Sequence, residues 1–166
     1  MPSEVLGQDM LKIVVSIVIG MLTYGLIARW YVMPALATLS RNDALIPLVL
    51  LHAFRYIGLA FLIPGVVSPD VTHDFAVPAA YGDLLASVLA LLAAVALKFR
   101  WSIAVPVVWI FNLEGTLDAL YAVSQGLRHV DAGQLGGVVF IPLLIVPALF
   151  VTHIMIFQIL LRRAAT

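Results

Sequence analysis

Residues 45–64 read LIPLVLLHAFRYIGLAFLIP, a run long enough to cross the hydrocarbon core of a bilayer as one helix, yet interrupted by His52, Arg55 and Tyr56. A helix in water balances its apolar stripe with a polar face. Here the polar residues stand isolated in a continuous apolar stretch, so the solvent of this segment is lipid and its ionisable residues are the ones to explain.

Four further segments, 11–33, 79–98, 102–124 and 136–160, have comparable length and composition. Together they predict an all-α bundle of five transmembrane helices forming one domain, 1–166. Hydrophobic residues make up 63% of the 166 and charged residues only 11%. With a mean hydropathy of +1.11, that exceeds what a soluble core of this size can bury. The connections, Ser40 to Asp43, Pro64 to Pro78, Lys98 to Trp101 and Gly126 to Gly137, leave no room for an extramembrane domain. Pro47-Leu48 and Pro142-Leu143 are too slight a likeness to argue an inverted repeat. Zero net charge and the lack of a charged tail exclude a nucleic-acid partner. The lack of cysteine removes disulfides, thiolate metal sites and a cysteine nucleophile. Met1 to Met10, with Glu4 and Asp9, has no basic region of the kind that opens a cleavable signal peptide, so the first apolar run reads as a retained span.

Lysine and arginine are asymmetrically placed. Arg29 and Arg41 flank the first connection, Lys98 and Arg100 the third, and Arg162 and Arg163 the C-terminus, against Lys12 and Arg128 on the other side, where Asp70, Asp74 and Asp131 also lie. Positive flanks mark the cytoplasmic side, which predicts an N-terminus outside and a C-terminus inside a membrane, most simply a bacterial plasma membrane. Trp30, Tyr31 and Trp101 then fall at the inner interface and Tyr81 at the outer one. Small residues allow close helix approach in lipid; Asp83, Ser87, Ala90 and Ala94 make one such stripe, and Ser16, Gly20 and Thr23 a weaker one. Pro142 and Pro147 predict a bend in the last span that frees backbone carbonyls.

At 3.6 residues per turn, His52, Arg55 and Tyr56 share a face with Leu59 while Phe61 turns away, and Glu114, Asp118 and Tyr121 share a face continued by Gln125. Counting along the spans puts Arg55 and Glu114 both near the midplane, where an unpaired charge costs about 2.5–3.5 kcal/mol on insertion scales. A midplane ion pair between Arg55 and Glu114 follows, with Asp118 as neighbour or second acceptor. A clasp that only fixes helix register explains that pair equally well. Asp118 is the reason to look further, because a second carboxylate exceeds what one arginine needs. His52 and His153 fall at similar heights, about one turn deeper, where they can face each other. Asn112, on the far side of its helix from Glu114, reads as an interhelical hydrogen bond. Asp83 reads equally as a helix-start residue favoured by the dipole and as the outer member of a relay of titratable groups running inward through Asp118, Glu114, Arg55 and His52. Asp70, His73 and Asp74, metal-compatible in type but without diagnostic spacing, read like His129 and Asp131 as solvated loop residues. The second, fourth and fifth spans are expected to surround the polar site, with the first and third outside or against a partner protomer.

Three functions suit these residues. The favoured one is binding or translocation of a small solute or ion, coupled to protons, at Arg55, Glu114, Asp118, His52, Tyr56 and Tyr121; so few spans imply a homo-oligomer. The second is a membrane-embedded enzyme for a lipophilic substrate, optionally with a metal on His52, His153, Glu114 and Asp118. No Gly-x-Ser-x-Gly or His-Glu-x-x-His supports it. The third is a haem held by His52 and His153. A retinal Schiff base is excluded, because the only lysines are Lys12 and Lys98 at span ends.

Overall fold

A computed structural model describes residues 3–162; Arg163 and the first two residues of the N-terminal segment lie outside the described residues. Helix α1 runs through Ser3–Ile27, a π turn at Ala28–Val32 and Met33–Ala37. Helix α2 is Arg41–His52 continued as a 3-10 helix over Ala53–Leu62. Helices α3, His73–Lys98, and α4, Ala104–His129, follow. A 3-10 segment at Ala132–Val139 leads into α5, a π turn at Ile141–Ile145 and then Val146–Arg162. No strand occurs among the described residues.

Four stretches are long and apolar enough to cross a membrane: Leu11–Ala37, Arg41–Leu62, His73–Lys98 and Ile141–Arg162. Helix α4 has the length, 26 residues. Asn112, Glu114 and Asp118 dilute its apolar run, so the helix richest in polar groups is the one that composition alone does not mark as a span.

Both π turns end two residues before a proline, Pro34 in one case and Pro147 in the other. Proline lacks an N–H and its ring crowds the carbonyl four residues back. Widening the preceding turn relieves both problems; Met33 N–H bonds to Ala28 O, and Val146 N–H to Ile141 O. The bend expected at Pro142 and Pro147 therefore takes the form of a widened turn, and the same device carries α1 past its expected limit at Met33. Gly20 of α1 admits the Pro147 ring: a Cβ there would lie 2.9 Å from Pro147 Cγ.

Helix α3 overturns one expectation. It is packed between α2 and α4 rather than outside, and its buried face is almost all small, including Ala79, Ala80, Ala86, Ala90, Ala93 and Ala94. Small side chains let three backbones approach closely. The Ser87 hydroxyl donates to Ala53 O at 2.6 Å, where α2 changes from α to 3-10 geometry. Helix α1 is the outermost, with Leu11, Val18, Ile19 and Leu22 exposed.

The loops 63–72 and 130–140 close one end of the bundle by pairing with each other: Ser68 N–H bonds to Gln134 O and Gly137 N–H to Val66 O, each at 2.9 Å. Gly136 is required there, since its φ is +50° and a Cβ would stand 2.5 Å from Val66 O. At the other end Ser40 caps α2 through Asp43 N–H, and Arg41 donates to Leu160 O at 3.2 Å. Arg100 approaches Asp43 at 3.5 Å in an exposed pair that contributes little stability.

Candidate functional site

The site begins with the 3-10 stretch of α2. Ten residues is long for this geometry, in which residues three apart eclipse each other. Buried positions accordingly recur every third residue, at His52, Arg55, Gly58 and Phe61, and Tyr56 is turned out with 54% exposure. This corrects the expectation of a 3.6-residue period, which put Tyr56 on the polar face and Phe61 away from it. Tyr121, 49% exposed, is also outside the cluster. The buried stripe of α4 runs instead through Phe111, Asn112, Gly115 and Ala119.

Arg55 is 2% exposed and every arm of its guanidinium is occupied. Nε donates to Asp83 Oδ1 of α3 at 2.7 Å, Nη1 to the Gly115 carbonyl of α4 at 2.9 Å, and Nη2 to Asp118 Oδ2 of α4. The expected Arg55–Glu114 pair is not formed. Helix α4 presents Gly115 to Arg55, so Asp118, one turn further along, reaches the guanidinium while Glu114 lies beside it with a buried Oε2 that has no hydrogen-bond partner. Asp83 takes the place expected for Glu114. Because α3 starts at His73, Asp83 is far inside the helix and is not a helix-start residue.

Three glycines, one on each of three helices, make the room. A Cβ on Gly58 would lie 2.7 Å from Asp83 Cβ, one on Gly82 would lie 2.7 Å from Asp118 Cγ, and one on Gly115 would lie 3.0 Å from Arg55 Nη1 and 2.9 Å from His153 Cε1. Each charged group therefore sits in the notch of a glycine on a neighbouring helix. In the sequence, Gly58 three residues after Arg55 is the signal of room for Asp83, and Gly82 that of room for Asp118.

Toward the 63–72 and 130–140 loops the cluster opens into a cleft of about 860 Å³, counting its open side. Side chains of α1 to α5 and of the 3-10 segment line it, and its only charged lining residues are Arg55 and Asp83. Residues 12–161 of this arrangement match the family model described as a domain of unknown function, DUF8737. The chain belongs to the DUF8737 family. No curated protein and no solved structure matches it.

On the other side of Arg55 this DUF8737 chain holds its two helix histidines in contact, with ring centroids 4.1 Å apart and both rings against Phe111. Axial ligands of one haem approach the iron from opposite faces of the porphyrin. Rings this close leave no space for that plane between them in this arrangement. The metal set His52, His153, Glu114 and Asp118 is not assembled either: no group of three or more His, Asp and Glu side chains suited to a metal occurs among the described residues. His73 and Asp74 form the first turn of α3.

The histidine tautomers follow from their partners. Asn112 Nδ2 donates to His153 O at 3.3 Å, and a carbonyl only accepts, so Asn112 Oδ1, 2.7 Å from His153 Nδ1, is the acceptor of a ring N–H. The Thr152 hydroxyl lies 2.8 Å from Ala148 O and 3.0 Å from Leu149 O, so its proton goes to the helix and it accepts from His52 Nε2–H at 2.9 Å. The remaining lone pairs, His153 Nε2 and His52 Nδ1, are buried without a partner. Asn112 is thus fully buried and makes the interhelical hydrogen bonds expected of it, to His153 of α5. In nitrogen-15 NMR of the labelled protein, neutral His153 is expected as the Nδ1–H form and His52 as the Nε2–H form. Asn112→Leu should abolish the His153 preference while leaving His52 unchanged.

Proposed function

We propose that this protein binds or translocates a small solute or ion with proton coupling at the Arg55 cluster. One observation carries the reading: a single buried guanidinium is shared by two carboxylates, Asp83 and Asp118. One negative charge is then left to be neutralised by a proton or a cation, in surroundings where an uncompensated charge is costly. Glu114 adds a third carboxylate, and Glu114 Oε2 and His153 Nε2 supply unpartnered acceptors nearby. A clasp built only for stability needs none of these extra groups.

The same proposal takes α4 as a fifth span. Its polar residues Asn112 and Asp118 are satisfied by α2 and α5 and need not meet lipid. We place the N-terminus outside and the C-terminus inside a bacterial plasma membrane; Arg41, Arg100 and Arg162 gathered at one end of the bundle support this. A homo-oligomer is the proposed working form, with the exposed face of α1 available for it.

The test is proton flux in proteoliposomes under an imposed potential, read with an internal pH dye. Wild type should carry protons. Asp83→Asn and Asp118→Asn should each lower the flux at least tenfold and change its pH dependence, and Glu114→Gln should have a smaller effect. No wild-type flux above empty liposomes, or unaltered flux in both Asp variants, would end the reading.

A further inference from the structure

We infer that the cleft takes an amphipathic amine, its apolar tail in the cleft and its protonated nitrogen on Asp83. This deepens, and rests on, the reading of the Arg55 cluster as a proton-coupled binding site. The two ends of the cleft carry different chemistry. Its walls are apolar, with Ile17, Phe61, Phe75, Ala122, Ile141 and Val146 among them, so a polar solute would lose its hydration without compensation. Its base is charged, with Arg55 and Asp83.

The sign of the ligand's charge follows from how the base is wired. Arg55 commits one donor on each of Nε, Nη1 and Nη2 to Asp83, Gly115 O and Asp118 and is only 2% exposed, so little of it is presented to an incoming anion. Asp83 gives Arg55 one oxygen, Oδ1; its Oδ2 lies against the Gly58 notch with no hydrogen bond among the described residues, and 16% of the side chain remains accessible. A carboxylate oxygen only accepts, and an ammonium only donates. Around Arg55 stand Asp83 from α3, Asp118 and Glu114 from α4, and His153 from α5 with His52 against it, so carboxylates outnumber the one permanent cation. A monovalent cation fits that balance and an anion does not. Apart from the acidic cluster, His153 is 1% exposed, and its Nε2 has no partner among the described residues and borders the same Gly115 notch as Arg55 Nη1. The proton that an arriving ammonium displaces from the carboxylates goes to bulk water, because His153 lies across Arg55 from the cleft and beside that permanent cation.

The experiment is equilibrium dialysis of radiolabelled octylamine against the full chain in zwitterionic nanodiscs, with empty nanodiscs and radiolabelled octanol as references. Octylamine should bind saturably at one site per chain, at least tenfold more tightly than octanol, and more weakly as pH falls because protons compete for the same carboxylates. Asp83→Asn should weaken it at least tenfold. If Asp83→Asn does not fold, Ala122→Phe, which fills the cleft and leaves the charged groups in place, should abolish binding on its own. Binding no greater than to empty nanodiscs, equal affinity for octanol, or binding that survives Ala122→Phe would overturn the inference. Proton release on binding, read with an indicator dye, separates the two ideas. Octylamine bound without release leaves the amine site standing and removes proton coupling; flux sensitive to Asp118→Asn with no octylamine bound does the reverse.

Discussion

Arg55→Met should be the most destabilising single substitution in the site, lowering stability in detergent by about 3–5 kcal/mol, the cost of removing one partner of a buried ion pair. Arg55 is 2% exposed and holds Asp83, Asp118 and the Gly115 carbonyl together from three sides. Without it, two carboxylates face each other across α3 and α4 with no cation between them. Arg55→Lys should rescue little, because a compact ammonium cannot reach three separated acceptors as a planar fork does. Combining Arg55→Met with Asp83→Asn and Asp118→Asn should recover much of the loss, since what destabilises the single variant is the stranded charge. Reversible unfolding in mixed micelles measures all three. A wild-type midpoint for Arg55→Met would show that the carboxylates do not depend on the guanidinium.

Gly82→Ala is expected to have the next largest effect, although it adds one methyl group. That methyl would stand 2.7 Å from Asp118 Cγ and closer still to the carboxylate oxygen, so either α3 and α4 separate or Asp118 leaves Arg55. Overpacking of this kind costs about 1–3 kcal/mol. The same change at Gly25, where nothing lies within 4 Å of the new Cβ, should be neutral or stabilise the helix by up to about 1 kcal/mol. A double-mutant cycle gives the mechanism. Placed on Asp118→Ala, Gly82→Ala should cost far less than it does alone, because the group it collides with is gone. Strict additivity would mean that the methyl group clashes with something other than Asp118.

Much of the helical framework is legible in the amino-acid sequence. The apolar runs predict the helical segments to within a few residues, with α3 starting six residues earlier than expected and α1 continuing past Pro34. The polar residues worth explaining are also visible there, and the contact between His52 and His153 matches the depth counted along their spans. Tyr56 departs from expectation for a local reason. Its expected side depends on a period of 3.6, and local sequence does not announce that residues 53–62 wind at three per turn. Glu114 departs for a different one. Depth and charge make it the natural partner of Arg55, but the rotation of α4 about its axis is set by which small residues let α2 and α3 approach, and Gly115 and Ala119 decide that.

The sequence by itself determined that this chain is helical, that it has helices long and apolar enough to cross a membrane, and that a few charged groups lie buried among them; hydropathy and segment length are local sums over the chain. Only the tertiary structure decided that Arg55 belongs to Asp83 and Asp118, and that Glu114 and His153 stand beside them with unpartnered atoms. Pairing of that kind depends on helix rotation and on angstrom-scale clearances at Gly58, Gly82 and Gly115, and these arise only when the helices pack.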